Sequence, residues 1–304
     1  MNNKRIVLAG GSGFIGRSLV KELLARNYDM TVLTRSPRPR SDGVNEVQWD
    51  GMNSGAWISC LDGAEAVINL TGRSIQCRFT PENVFGLTAS RVEPTLAIAA
   101  AIGTLTQPPR VWVQASAIGF YGDQKDRLCD ETSPSGADTL AGICQQWEAA
   151  FNSASTPKTR RALLRIGFVL GRDGGALPVL ARITKWFLGG TVGSGEQFIS
   201  WIHIQDLCRM FIESVEREEL AGTFNAVGPN AVTNREFMRE LRRTLRRPWS
   251  PPAPEWAVKL GSRLMGAEPS LALAGCRVAP RRFLEAGFQL EFGELCPALK
   301  NILR

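Results

Sequence analysis

Residues 6–16, Ile-Val-Leu-Ala-Gly-Gly-Ser-Gly-Phe-Ile-Gly, place Gly10, Gly13 and Gly16 in a G-x-x-G-x-x-G run between an apolar strand and a helix. The strand reads Ile6-Val7-Leu8-Ala9, and Phe14, Ile15, Leu19, Val20, Leu23 and Leu24 follow at helical spacing. A strand that turns sharply into a helix aims free backbone N–H groups and a positive helix end at one point, where a pyrophosphate fits. Gly10 permits the turn, Gly13 removes the side chain that would block the phosphates, and Gly16 lets helix and sheet pack closely. With 30 glycines in 304 residues, the spacing alone would say little. The strand–turn–helix context points to a dinucleotide-binding βαβ unit rather than a structural glycine turn.

Strand and helix signals alternate through the first half. Strands are expected at 30–34, 44–49, 64–70, 111–115 and 162–170, with helices at 80–102 and 139–152. This alternation predicts an α/β fold: a Rossmann-type doubly wound parallel sheet with helices on both faces and ligands at the carboxyl ends of the strands. Past Leu170 the chain becomes glycine-rich, with a short apolar helix at 177–187, a strand at 197–204, a helix at 205–216 and a strand at 224–227. The run Pro248 to Pro254 reads as a stiff connector to a helical tail. Residues 1–170, with contributions from about 197–227, form the expected dinucleotide-binding domain. Residues 171–196 and 228–304 form a smaller C-terminal substrate lobe.

A hydrophobic fraction of 44% and a charged fraction of 21% are ordinary for a soluble globular protein. Met1 to Arg5 leads straight into the first strand, leaving no room for a signal peptide, and no apolar run is long enough to span a bilayer. Seven scattered cysteines without a C-x-x-C pair suit reduced thiols and a cytoplasmic location. With a single histidine, no metal site is expected. The net charge of +7 concentrates in residues 239–247, where Phe237, Leu241 and Leu245 recur every four residues. This pattern describes an amphipathic helix with a solvated basic face. No recognition motif or stacking platform accompanies the charge, so neither nucleic acid nor membrane is expected as a partner.

The second strand ends Thr34-Arg35-Ser36-Pro37-Arg38. An acidic side chain here would accept from the ribose hydroxyls of NAD and repel a 2′-phosphate. Arg35 can instead clamp that phosphate through two parallel hydrogen bonds, with Thr34, Ser36 and Arg38 as nearby donors. The expected cofactor is NADP(H). The competing reading of Arg35 is a basic surface turn.

Several further segments carry a resemblance. They are Asn69-Leu70-Thr71-Gly72, Ser90 to Thr95, Ser116-Ala117-Ile118-Gly119-Phe120-Tyr121-Gly122, Arg165 to Gly171, Ser200 to Asp206 and Gly222 to Pro229. Together with the glycine turn they resemble the extended short-chain dehydrogenase/reductases. The likeness is greatest to the atypical branch called the epimerase family, related to NAD(P)-dependent sugar-nucleotide epimerases and dehydratases. The resemblance runs nearly end to end. It implies that Leu70, Thr71 and Gly72 line the pyrophosphate and ribose, that Arg91 reaches the cofactor, and that Val169 sits beside the nicotinamide.

It also exposes a departure. Typical members set a Tyr and a Lys one helical turn apart, the Lys lowering the Tyr pKa for proton exchange with the substrate. Anchored on Glu148, those positions fall on Leu140 and Cys144. Tyr121 to Lys125 spells Y-x-x-x-K, but Gly122 and Asp123 inside it suggest a turn, where the two side chains would not share a face. The candidate catalytic groups are therefore Ser116, as a carbonyl-polarising hydroxyl or a mere strand cap, and Tyr121. Cys144 is read as a buried replacement for Lys, and His203 as a backbone brace beside an Asp206 helix cap. Glu131 is read as a loop acid, with the glycines of 174–175 and 189–195 and Trp201 shaping the substrate side. The leading function is an NADP(H)-dependent oxidoreductase or epimerase-like enzyme acting on a small-molecule substrate. The alternative is a cofactor-binding sensor or scaffold without turnover. Pairing through the helices after strands four and five would give a homodimer.

Overall fold

Short runs rich in Val, Ile and Leu, buried on both sides, build the sheet that organises the molecule. The computed structural model describes residues 4–264 and 266–304. The chain begins with β1 (Arg5–Ala9), α1 (Phe14–Ala25), β2 (Asp29–Thr34), β3 (Asn45–Gln48) and β4 (Ala66–Asn69). It continues through α2 (Pro81–Thr104), β5 (Val111–Ala117), β6 (Leu128–Cys129), α3 (Thr139–Asn152) and β7 (Arg160–Ile166). Then follow β8 (Phe168–Leu170), α4 (Leu177–Lys185), β9 (Phe198–Ile199), β10 (Trp201–His203), α5 (Ile204–Glu216) and β11 (Gly222–Ala226). The remainder holds β12 (Val232–Thr233), α6 (Asn234–Thr244), α7 (Glu255–Leu264), α8 (Ser270–Leu273), β13 (Arg277–Val278), α9 (Arg281–Glu285) and α10 (Leu295–Leu303).

Seven strands form one parallel sheet in the order β11-β7-β5-β4-β1-β2-β3. The chain steps outward from β1 to β3, then returns to the other side of β1 with β4. That reversal opens a crevice at the carboxyl ends of β1 and β4, as the Rossmann arrangement requires. Alternate residues of each strand feed two cores. Ile6, Leu8, Val32, Ile68 and Val113 pack with residues of α1 and α5. Val7, Ala9, Leu33, Val67 and Trp112 pack with Trp57, Ile98, Ile102 and Phe151. A third core joins Leu177 of α4, Phe237 and Leu241 of α6, and Leu299 and Ile302 of α10 to Leu170 and Trp201. Among the described residues, no helix is long and apolar enough to cross a membrane.

The sequence pattern is corrected in three places. The expected strand at 162–170 breaks at Gly167, where a Cβ would overlap the Ser200 carbonyl oxygen and lie 2.7 Å from Val227 Cγ1. Gly167 N–H donates to Ala226 and Phe168 N–H to the Ser200 carbonyl, so β7 stays in the main sheet while β8 leaves it to pair with β10. The expected strand at 197–204 splits at Ser200 for the same reason, with β9 pairing instead to β12. The tail is not uniformly helical. β13 pairs with β6, and Phe283 of α9 and Phe288 enter the main core beside Phe224.

Candidate functional site

Close packing at the end of β1 excludes a Cβ at Gly10, Gly11 and Gly16 but not at Gly13. Gly10 lies at φ 83°, and a Cβ there would stand 2.8 Å from the Leu70 carbonyl carbon and 3.1 Å from Thr71 N. A Cβ on Gly16 would come 2.5 Å from the Gly10 carbonyl oxygen. Gly13 differs: its φ of −73° suits any residue, and the nearest atom to an added Cβ is 3.5 Å away. Gly13 is the N-cap of α1, and no side chain caps the helix. The N–H groups of Phe14 and Ile15 therefore open the helix without intrahelical acceptors. These residues fit a pyrophosphate: a helix end whose first N–H groups carry positive partial charge, with no atom of the described residues closer than 3.5 Å to an added Cβ on Gly13.

The neighbouring strand ends complete the crevice. Ala9 is in register with Leu33 on β2 and with Asn69 on β4. Past Leu33, Thr34 is half-buried and Arg35 and Ser36 are exposed, with Ser36 N–H donating to Thr34 Oγ1 at 3.4 Å. Among the described residues Arg35 makes no hydrogen bond or ion pair, while the nearby carboxylates of Asp42 and Glu46 are both engaged by Arg40. Hydrogen bonding from Arg40 holds the Asp42 carboxyl at about 2. The fork of Arg35 is thus free beside a site shaped for phosphates.

On the other side, buried Asn69 organises the turn after β4. Its Oδ1 accepts from Thr71 N–H at 3.0 Å and from the Thr71 hydroxyl at 2.6 Å, while its amide donates to Gln114 Oε1 at 3.0 Å. Arg91 of α2 donates to the Leu87 carbonyl at 2.9 Å and to the Arg73 carbonyl at 3.0 Å, and its Cζ would lie 3.2 Å from a Cβ on Gly72. Arg91 thereby holds the Thr71–Arg73 turn, and burial lowers its pKa. The ring of Phe14 fills the space above Gly171 and Gly174 and meets the turn at Gly175, which itself lies against the Val169 carbonyl. The cofactor-binding candidates therefore converge on one crevice, with Asn69 as an organiser that sequence reasoning missed. A buried amide closing a strand was the available signal.

The two catalytic candidates share one hydrogen-bonded network. Ser116 is buried and donates to Glu148 Oε1 at 2.6 Å. Glu148 in turn accepts from Arg165 Nε at 2.9 Å and Nη2 at 2.8 Å. Arg165 Nη1 donates to the Tyr121 hydroxyl at 2.9 Å, and that hydroxyl donates to Asn225 Oδ1 at 2.7 Å. Burial pushes the Tyr121 phenol up to about 12. Burial opposes the charge on Arg165, yet the hydrogen bonds and charge of Glu148 outweigh it and raise its pKa. Ser116 and Tyr121 thus belong to one internal network across α3, β5, β7 and β11. Arg165, a charge inside the apolar run 162–170, was the sign of that network in the sequence.

The positions matched to the missing Tyr and Lys are filled. Leu140 Cβ and Cys144 Sγ each lie 3.6 Å from where a Cβ on Gly119 would stand, and burial pushes the Cys144 thiol up to about 12. Lys125 has φ 55° and reaches only Asp123, so Y-x-x-x-K lies in a turn. His203 caps α5, its Nδ1 accepting from Gln205 N–H at 3.2 Å while its ring stacks on Phe292 at 3.8 Å. Asp206 does not cap that helix; it accepts from the backbone N–H groups of Glu291 and Phe292. Glu131 accepts from the backbone N–H groups of Asn225 and Arg282, a brace between β11 and α9. Gly189 packs on Thr184 and Gly190 on Pro251, and Trp201 is buried with its indole donating to Asn230. Gly189, Gly190 and Trp201 thus serve the packing of this lobe.

Comparison with known proteins fits this geometry. A family model described as NAD dependent epimerase/dehydratase family matches residues 6–227, and a domain of unknown function, DUF1731, matches residues 253–302. The chain is 36% identical to the epimerase family protein SDR39U1 homolog, chloroplastic, of Arabidopsis thaliana, over 98% of this chain and 86% of that one. It is 30% identical to the epimerase family protein YfhF of Bacillus subtilis, over 98% and 97%. A crystal structure of human epimerase family protein SDR39U1 with NADPH superposes with a TM-score of 0.88 at 34% identity, covering 98% of each chain. The UDP-N-acetylglucosamine 4-epimerase of Bacillus cereus shares the fold at a TM-score of 0.76 and 17% identity, covering 99% of this chain and 95% of that one.

The internal network carries a prediction for stability. Tyr121→Phe leaves Arg165 Nη1 and Asn225 Oδ1 unpaired and is expected to cost about 1–3 kcal/mol in urea unfolding. Arg165→Met, which strands Glu148 as a buried charge, is expected to cost about 3–5 kcal/mol. Unchanged unfolding midpoints in both variants would contradict the network.

Proposed function

Since the chain belongs to the NAD dependent epimerase/dehydratase family, we propose that it is an NADP(H)-dependent oxidoreductase or epimerase-like enzyme acting on a small substrate. The observation that carries this reading is the bare cradle at Gly13 beside the unpartnered fork of Arg35. The NADPH held by the human relative of similar fold supports it. In this reading Gly10, Gly13, Phe14, Ile15 and Gly16 hold the pyrophosphate. Thr34, Arg35 and Ser36 hold the 2′-phosphate, and Leu70, Thr71 and Gly72 border the ribose. Arg91 keeps that last turn in place, and Val169 lies toward the nicotinamide.

The bound group supplies a carbon that exchanges hydride with the substrate. The chain's own contribution is positioning, which can account for several powers of ten in rate. Around Gly119, Leu140 and Cys144 supply no proton-exchanging pair, and Ser116 and Tyr121 are committed to their network. The substrate must then carry its own electron-poor centre or take its proton from water. Residues 171–196 and 228–304 form the lobe under which it binds.

We read the groove between α2 and α3 as the seat of a second copy of the chain. It is lined by Val84, Phe85, Ala89, Leu96 and Ala149, with Phe85 74% and Leu96 47% exposed. Sedimentation should show a dimer that Phe85→Glu converts to monomer; a monomeric parent protein would refute this pairing.

The functional reading is tested by following NADPH oxidation with a panel of ketones, enones and sugar nucleotides. Turnover is expected with at least one class, and Arg35→Asp should move the preference toward NADH by roughly tenfold or more, the scale of a lost charge-assisted bidentate contact. Binding of NADPH without consumption across the panel would instead identify a sensor or scaffold.

A further inference from the structure

The smaller lobe carries a surface on which basic and large apolar side chains are exposed together. Trp186 is 76% exposed, Phe187 48%, Leu188 64% and Trp249 65%. Beside them the end of α6 opens a hollow of about 390 Å³ lined by Arg239, Arg242, Arg243, Arg246, Arg247 and Pro248. Residues 176–190 and 237–250 hold seven basic side chains and a single carboxylate, Glu240, which pairs with Arg239 and Arg243.

These two segments are fastened into one face. Arg247 Nε donates to the Lys185 carbonyl at 3.0 Å, and its guanidinium sits 5.0 Å from the Phe187 ring centre. Arg242 donates to the Gly189 carbonyl at 2.8 Å. Both turns hold a non-glycine residue in the left-handed region, Phe187 at φ 61° and Arg246 at φ 56°. Each is the left-handed residue that closes its helix: Leu188 N–H donates to the Ile183 carbonyl at 3.0 Å after α4, and Arg247 N–H to the Arg242 carbonyl at 2.9 Å after α6. The turn after α4 leaves Trp186 and Leu188 exposed on either side of Phe187, whose ring lies against the Arg247 guanidinium.

We propose that this face docks on a membrane surface bearing anionic phospholipids. The arginines meet the phosphates, while Trp186, Leu188 and Trp249 enter the headgroup boundary. Peripheral attachment takes two signals together, an apolar insertion and a polybasic patch, and both are present on one side of the molecule. Tryptophan suits that boundary because its ring is apolar and its N–H polar. An aliphatic Leu188 in the centre of the patch favours lipid over single-stranded nucleic acid, whose bases stack on aromatic rings. The amphipathic pattern of 237–245 showed the basic face; the apolar turn beside it emerges only when α4 and α6 pack together.

Vesicle flotation tests the proposal with the full-length protein, comparing phosphatidylcholine alone with phosphatidylcholine containing about one-third phosphatidylserine. Binding is expected only to the anionic vesicles, falling at roughly 0.5 M salt as surface charges are screened. Arg243→Glu with Arg246→Glu, and separately Trp186→Ser with Leu188→Ser, should each reduce partitioning roughly tenfold, since either signal alone holds weakly. All four side chains are exposed, so unfolding midpoints should stay unchanged and confirm that the variants are folded. No flotation with anionic vesicles, equal flotation with neutral ones, or flotation indifferent to the Trp186 and Leu188 changes would overturn the proposal. Salt-sensitive capture of a single-stranded oligonucleotide without vesicle binding would also overturn it, and point to nucleic acid.

Discussion

The site depends on how closely three backbone segments meet at the end of β1. Gly10 rests against the Leu70 carbonyl, and Gly16 brings α1 against the Gly10 carbonyl. Neither position tolerates a side chain, so the helix axis points into the crevice between β1 and β4 with its first N–H groups uncovered. Gly13 is the exception, open in front and relaxed in backbone. A side chain at Gly13 would stand in front of the first N–H groups of α1 without disturbing the packing behind it. Its neighbours follow the same plan: Asn69 and Arg91 fix the adjoining turn through the backbone, and Arg35 is left without a partner.

The region beside this crevice is tied together by a buried polar network. The Glu148–Arg165 pair is nearly sealed from solvent, each side chain 6% exposed, and it ties Ser116, Tyr121 and Asn225 into one hydrogen-bonded chain. Burying such a pair gains little net stability, because desolvation offsets the attraction. Its effect is to hold β5, β7 and α3 in a single register. The same network engages the two hydroxyls that the sequence offered as catalytic groups.

The glycine turn, the alternating strands and the basic end of β2 were legible in the sequence because each follows from local chemistry. Gly10 needs its positive φ, Ile6 and Leu8 alternate with Val7 and Ala9, and Arg35 falls at a strand end. What was not legible depends on which segments meet. Gly167 breaks a strand because the Ser200 carbonyl arrives from far along the chain, and Trp201 is core because α6 and α10 fold over it. Ser116 and Tyr121 looked available because nothing local revealed that Glu148, Arg165 and Asn225 close around them. Arg165 within an apolar run and Asn69 at a strand end were the traces of that closure, and reading them requires knowing the partner.

Gly13→Val tests the central claim most directly, because the backbone there accepts any residue while a branched side chain would occupy the space in front of the helix end. The measurement is calorimetric titration of parent and variant with NADPH, alongside unfolding curves for both. The account predicts a saturable NADPH site in the parent and a loss of affinity of roughly a hundredfold or more in the variant, the scale of several charge-assisted hydrogen bonds to phosphate. Unfolding should change by less than about 1 kcal/mol. A variant that binds NADPH as well as the parent, or a parent that takes up none, would contradict it.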